Sequence, residues 1–273
     1  MPEMSPSPER RPPPPILVAV GTTDPAVDPG DQSGEAAVPA EPAEPALSGG
    51  RARVALVGLF LLAATTGMVD ATAYLGLGRV FTANMTGNVL LLGFSTTTSR
   101  GGGSGTAVLY GSLAALLAFV VGALVGAVAA GRRAAAPHVG VGFALEGVLL
   151  VAGTALLFDG GATSDGLRYV VLVLLGLSMG VQNATVRRMG VPDVNTTVLT
   201  TALAGLASDV VSVSGRPARA GRRLATVAFL FLGAAAGAAL EHQQPRWSAV
   251  GALALLAVSV GLVGRSGLLR AAR

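Results

Sequence analysis

The sequence has no cysteine and no lysine, a single tryptophan, only 4% aromatic residues and only 12% charged residues. The missing cysteine excludes a disulfide framework, a thiolate metal site and a cysteine nucleophile. All 19 basic side chains are arginine. Because lysine serves equally well as a membrane-flanking charge, its absence points to a GC-rich bacterial genome rather than to a functional demand. The scarcity of charge excludes an ordinary soluble domain, in which about a quarter of residues are charged. What fills the chain is apolar: 51% of the 273 residues are hydrophobic and the mean hydropathy is +0.63. That is the composition of a polytopic membrane protein.

Charge is also unevenly placed. Residues 1–50 hold 2 Arg against 8 acidic residues, a net charge of −6, whereas residues 51–273 hold 17 against 7, a net charge of +10. The sequence pI of about 10.6 therefore describes arginines flanking membrane segments, and no nucleic-acid partner is expected. Twelve of the 16 prolines lie in residues 1–50, where the only apolar run is the five residues 16–20. This Pro/acidic tail is expected to be disordered. Five apolar residues fall short of the about 7–15 of a signal-peptide core, so the tail should be retained and the first hydrophobic segment should direct insertion. The reading divides the chain into the tail 1–50, a polytopic membrane domain 51–265, and a short basic C-terminal tail 266–273.

Eight apolar stretches follow the tail: 54–77, 80–94, 107–130, 139–158, 169–186, 196–213, 224–240 and 247–263. A bilayer core takes about 20 apolar residues of helix. The second stretch offers 15, with Thr82, Asn84, Thr86 and Asn88 among them, and the sixth carries four threonines, two serines and Asp209. The expected fold is therefore an all-α integral membrane protein of about six transmembrane helices plus two short interrupted or re-entrant segments. Seven or eight full spans are the alternative.

An internal repeat emerges when the first four stretches are laid on the last four, giving halves of about 54–158 and 169–263. "GMVDAT" at 67–72 matches "GVQNAT" at 180–185, Thr82 and Thr86 match Thr196 and Thr200, and "GALVGA" at 122–127 matches "GAAAGA" at 233–238, with offsets of 113, 114 and 111. Near-constant offsets favour duplication over chance similarity between Gly/Ala-rich helices. Arginine placement then compares topologies with a cytoplasmic N-terminus. Eight spans put 11 arginines inside and 6 outside, whereas six spans with two re-entrant segments put 13 inside and 4 outside, the stronger positive-inside bias. Six spans give three per half, so the halves would be inverted in the membrane with both termini cytoplasmic.

Few residues can carry chemistry in such a chain. Asp70 lies inside the first span, where an ionisable group is costly and is a functional candidate. It can bind a cation or relay a proton as the coupling charge; equally, it can accept hydrogen bonds from backbone freed where the helix breaks toward Gly76 and Gly78, or pair with Arg79. Glu146 is the second candidate coupling charge, seven residues into its span, with Gly140, Gly142 and Gly147 leaving room for a helix or water to approach. An interhelical hydrogen bond is its structural alternative. Asp209 reads as a headgroup-level acid. The pairs Gly122/Gly126 and Gly233/Gly237 place small residues on one helix face and read as helix packing, with these two helices candidates for packing on each other. His138 and His242 lack a nearby ligand set, so no metal is expected. No nucleophile and base pair stands out, so neither a catalytic residue nor a cofactor is assigned. The fits to the N-glycosylation sequon at Asn84, Asn183 and Asn195 are set aside because the sequon is meaningful only on exposed loops of secreted proteins, and the glycine run 101–105 lacks the Gly-Lys-Ser/Thr of a phosphate loop.

"GMVDATAYLGLGRVFTANMTGNVLLLG" (67–93) resembles the YoaK-like bacterial membrane family, a domain of unknown function, and "GLSMGVQNATVRRMGVPDVNTTVLTTAL" (176–203) resembles the family's later elements. Together with the span pattern, the resemblance covers about residues 54–265. It implies a bacterial inner-membrane protein of about six spans with no established activity. Its first motif falls on Asp70, Phe81, Thr82, Asn84, Thr86, Gly87 and Asn88, and its second on Gln182, Asn183, Thr197 and Thr200. Thr201 stands where the family often has glycine. These motif positions are the candidate substrate-binding residues of a secondary transporter or permeation protein for a small solute. The rival expectation is a membrane scaffold or assembly factor in which the same side chains only knit helices together. Its partners would then be the lipid bilayer and, for a transporter, the solute; the oligomeric state is not readable.

Overall fold

The computed structural model describes residues 49–98, 104–129, 136–160, 163–190, 217–242 and 244–267, all within one compact unit of residues 42–273. The acidic tail, the second interrupted stretch with Thr197, Thr200, Thr201 and Asp209, and residues 268–273 lie outside the described residues. Described residues form helices α1 (Gly49–Ala71), α2 (Met85–Thr98), α3 (Ser104–Ala129), α4 (Ala136–Phe158), α5 (Asp165–Arg188), α6 (Pro217–Glu241) and α7 (Pro245–Ser266), with a π-helical turn Thr72–Gly76 continuing α1. There is no strand among them. Helix is the form that satisfies every backbone group internally where water is absent. Six of the seven are long and apolar enough to cross a membrane; α2 is the exception. Its 14 residues extend about 21 Å, short of a hydrocarbon core of about 30 Å.

Contacts between helices fix their directions. Gly67, Gly233 and Gly237 set α1 and α6 side by side with numbering that rises together, and Gly176, Gly122 and Gly126 do the same for α5 and α3. The α1–α7 pair runs oppositely, since Gly58 faces Ser259 and Val263 while Met68 faces Gly251. The α4–α5 pair is likewise antiparallel, with Gly142 against Thr185 and Gly153 against Leu174 and Leu175. Phe158 at the end of α4 meets Trp247 at the start of α7 in an edge-on ring contact of 6.3 Å. Taking α1 as up, the order α1, α3, α4 reads up, down, up and the order α5, α6, α7 reads down, up, down. The chain leaves α1 and enters α3 at one end of the bundle, so α2 begins and ends its excursion on that side.

The two halves make matching contacts. A Cβ added at Gly67 would strike the Leu230 carbonyl and Ala234 N–H of α6, and one at Gly180 would strike the Phe119 carbonyl and Ala123 N–H of α3. Gly233 abuts the backbone of Ala64 as Gly122 abuts that of Leu177. Gly237 meets Met68 and Ala71 as Gly126 meets Val181 and Ala184. Every partner of the first set is carried to its counterpart by an offset of 113 or 111 residues. The small-residue faces thus pack on α1 and α5; the expectation that α3 and α6 pack on each other is corrected, because each half lends its central helix to the other. Backbone contact this close gives dispersion energy that lipid cannot match, and any side chain would abolish it. Accordingly α1 and α5 are the most buried helices, with 67% and 72% of their most apolar windows inside against 17% for α6. Large side chains on the outer helices, such as Leu124, Phe231 and Leu232, stay exposed for lipid.

Candidate functional site

The polar run at 81–88 sits where α1 stops. After the π turn, Gly78 (φ 112°) and Arg79 (φ 62°) take left-handed conformations that end the helix, and the backbone of 80–84 has no helical partners until α2 begins. Asp70 supplies them. Its Oδ1 accepts from the Thr82 N–H at 2.7 Å, the Ala83 N–H at 2.8 Å and the Thr82 hydroxyl at 3.0 Å, and its Oδ2 accepts from the Asn84 N–H at 3.2 Å. Asn88 clamps Phe81 from the other side: its Oδ1 accepts the Phe81 N–H at 2.9 Å and its Nδ2 donates to the Phe81 carbonyl at 2.7 Å. Asn84 Oδ1 accepts the Gly87 N–H at 3.2 Å, a side-chain cap on α2.

Gly87 is needed for a close approach rather than for backbone freedom. The Phe81 ring stacks on Tyr74 with centroids 4.9 Å apart, and a Cβ at Gly87 would come within 2.8 Å of that ring. Thr86 points outward and is exposed. Asp70 therefore meets the 82–84 segment, not Arg79; an ion pair near the start of α5 joins Arg168 to Asp165 at 2.9 Å. Of the sequence candidates, Asp70, Thr82, Asn84, Gly87 and Asn88 converge on one small structure, a re-entry loop held to α1 and α2.

A second convergence lies deeper, where α1, α4 and α5 meet. Gln182 on α5 donates through Nε2 to the Thr66 hydroxyl at 2.8 Å and to the Leu62 carbonyl at 3.4 Å, both on α1. One turn back, the Ser178 hydroxyl donates to the Glu146 carbonyl of α4 at 3.1 Å. With Gly142 opposite Thr185 and Gly153 opposite Leu175, the antiparallel register sets Glu146 level with Gln182. The Glu146 side chain is fully buried, and neither of its carboxylate oxygens has a hydrogen-bond partner among the described residues, nor does Gln182 Oε1. Asn183, the counterpart of Asp70, is also buried. Of the three glycines expected to open space at Glu146, only Gly142 has a neighbour within 4 Å, the Thr185 side chain; Gly140 and Gly147 face nothing.

Thr66 and Ser178 are the residues that sequence reasoning missed. Each is one hydroxyl in an apolar helix, a weak signal. Hydroxyls of this kind recur wherever α1 meets α7, with Thr72 and Ser248 joined at 2.8 Å and Ser259 donating to the Gly58 carbonyl.

Among known proteins, the "UPF0700 transmembrane protein YoaK" of Bacillus subtilis (strain 168) is 35% identical over 161 residues, 58% of this chain and 67% of that protein. No solved structure matches. The family described as "Protein of unknown function (DUF1275)" matches residues 58–262, a range that contains both the re-entry loop and the buried junction. This multi-pass membrane protein belongs to the DUF1275 family.

Proposed function

We propose that the protein is a secondary transporter for a small solute, built from two duplicated and inverted halves whose first and most buried helices, α1 and α5, line the path. The observation that carries this reading is Glu146, an acid buried midway along a membrane helix whose carboxyl oxygens receive no hydrogen bond among the described residues. An unpaired acid in hydrocarbon costs several kcal/mol or more, and such residues mark ion and substrate pathways. Inverted halves meeting at a polar junction are the architecture of alternating access. Six spans with two re-entrant segments would put 13 of the 17 arginines in residues 51–273 on one side, and the reading then places both termini in the cytoplasm of a bacterial cell. A scaffold reading is favoured by the re-entry loop, where Asp70 and Asn88 satisfy backbone; under the transport reading these residues shape the loop and the coupling charge falls to Glu146.

The absence of native cysteine makes a substrate-independent test direct. Single Thr66→Cys and Ser178→Cys variants in sealed vesicles, treated with a membrane-impermeant thiol reagent from either face, should label from both faces, because the junction must open alternately to each. Labelling from fewer than two faces contradicts transport and leaves the scaffold.

A further inference from the structure

We infer that Glu146 holds a proton that it donates to Gln182 Oε1, and that this proton is the coupling ion; its coupling role, though not its presence, rests on the transport reading above. Donor accounting at the junction leads there. The Ser178 hydroxyl is committed to the Glu146 carbonyl, Thr66 to Leu62, Thr185 to Val181 and Thr154 to Leu150, while Gln182 Nε2 serves Thr66 and Leu62. Three buried acceptors are left over: both Glu146 carboxylate oxygens and Gln182 Oε1. A proton on one Glu146 oxygen would turn an acceptor into a donor for a second one. A neutral carboxylic acid adds one O–H donor, and the register sets Glu146 level with Gln182, whose Oε1 lacks a donor.

No cation does the same. The helices packed on α4 are α3, α5 and α7. Among the described residues their titratable and charged groups are Tyr110 on α3; Asp165, Arg168, Tyr169, Arg187 and Arg188 on α5; and Arg246 and Arg265 on α7. All lie within two turns of a helix end. The remaining unpartnered hydroxyl, Ser112, neighbours Gly111, which faces Leu172, more than two turns along α5 from Gln182. A calcium ion would call for about six to eight oxygens, usually including several carboxylates, where this junction offers one carboxylate. A proton on Glu146 pairs two of the three leftover acceptors with atoms already present and leaves the third as the carbonyl of a neutral acid, with no buried charge. For coupling, the proton is released to water when the junction opens to one face, and Glu146 takes up another from water when the junction opens to the opposite face.

Infrared difference spectroscopy of the full chain in lipid nanodiscs tests this without knowledge of the solute. At neutral pH the parent should show a protonated-carboxyl carbonyl band that is lost in Glu146→Gln and moves to higher frequency in Gln182→Leu. In heavy water the band should shift down, since a coupling proton must exchange. A Glu146-dependent band of ionised carboxylate that moves with added sodium or potassium overturns the proposal in favour of a monovalent cation. A protonated band that never shifts in heavy water overturns the coupling role. Should Glu146→Gln fail to fold, the Gln182→Leu shift carries the test, and an unmoved band overturns the pairing. If the band and its exchange are found while two-sided cysteine labelling fails, transport falls and the proton site stands.

Discussion

Asn88 and Thr86 sit two positions apart in the same polar run and do opposite things. Asn88 closes two hydrogen bonds on the half-buried Phe81 backbone, so Asn88→Ala leaves an N–H and a carbonyl without their partners at a cost of about 1–3 kcal/mol in total. Thr86 is exposed, so Thr86→Ala should change stability by no more than about 0.5 kcal/mol. Thermal unfolding of the purified variants checks both: a clear loss for Asn88→Ala with an unchanged midpoint for Thr86→Ala is expected, and equal midpoints would remove the clamp. The motif itself was visible in the sequence because amides and hydroxyls crowd an apolar stretch. The role of its main anchor stood there only as one alternative, Asp70 accepting from freed backbone; that it reaches Thr82 depends on a π turn and two left-handed residues that fold the chain back.

Element packing rests on glycine. A valine at Gly122 would collide with the Leu177 backbone and one at Gly233 with the Ala64 backbone, each forcing helices apart at about 1–3 kcal/mol. Since these contacts are counterparts, Gly122→Val and Gly233→Val should lower the unfolding midpoint by similar amounts, while Gly147→Ala, with no atom nearby, should leave it unchanged. A large loss at one site and none at the other would break the correspondence between the halves. The spacing of these glycines was legible from the sequence; their partners were not. Identical small-residue faces say that a helix is approached closely without saying by which neighbour, and α5 and α1 are chosen only when the halves interlock.

At the scale of the whole molecule, hydropathy and arginine placement pointed to six spans because each acts locally: apolar length decides what can cross, and charge decides which end stays behind. The meeting of Glu146 with the level of Gln182 was hidden, as it depends on the register between α4 and α5, which is set by the contacts of Gly142 and Gly153. Inversion of the two halves is the premise from which that junction follows, and it can be measured outright. Single cysteines at Gly105 and Gly221, at the starts of the counterpart helices α3 and α6, are labelled with an impermeant reagent in intact cells and after permeabilisation. Inverted halves put Gly105→Cys on the outer face, reactive in intact cells, and Gly221→Cys on the inner face, reactive only after permeabilisation. Labelling of both from the same face would contradict inversion and, with it, the central junction on which the transport reading stands.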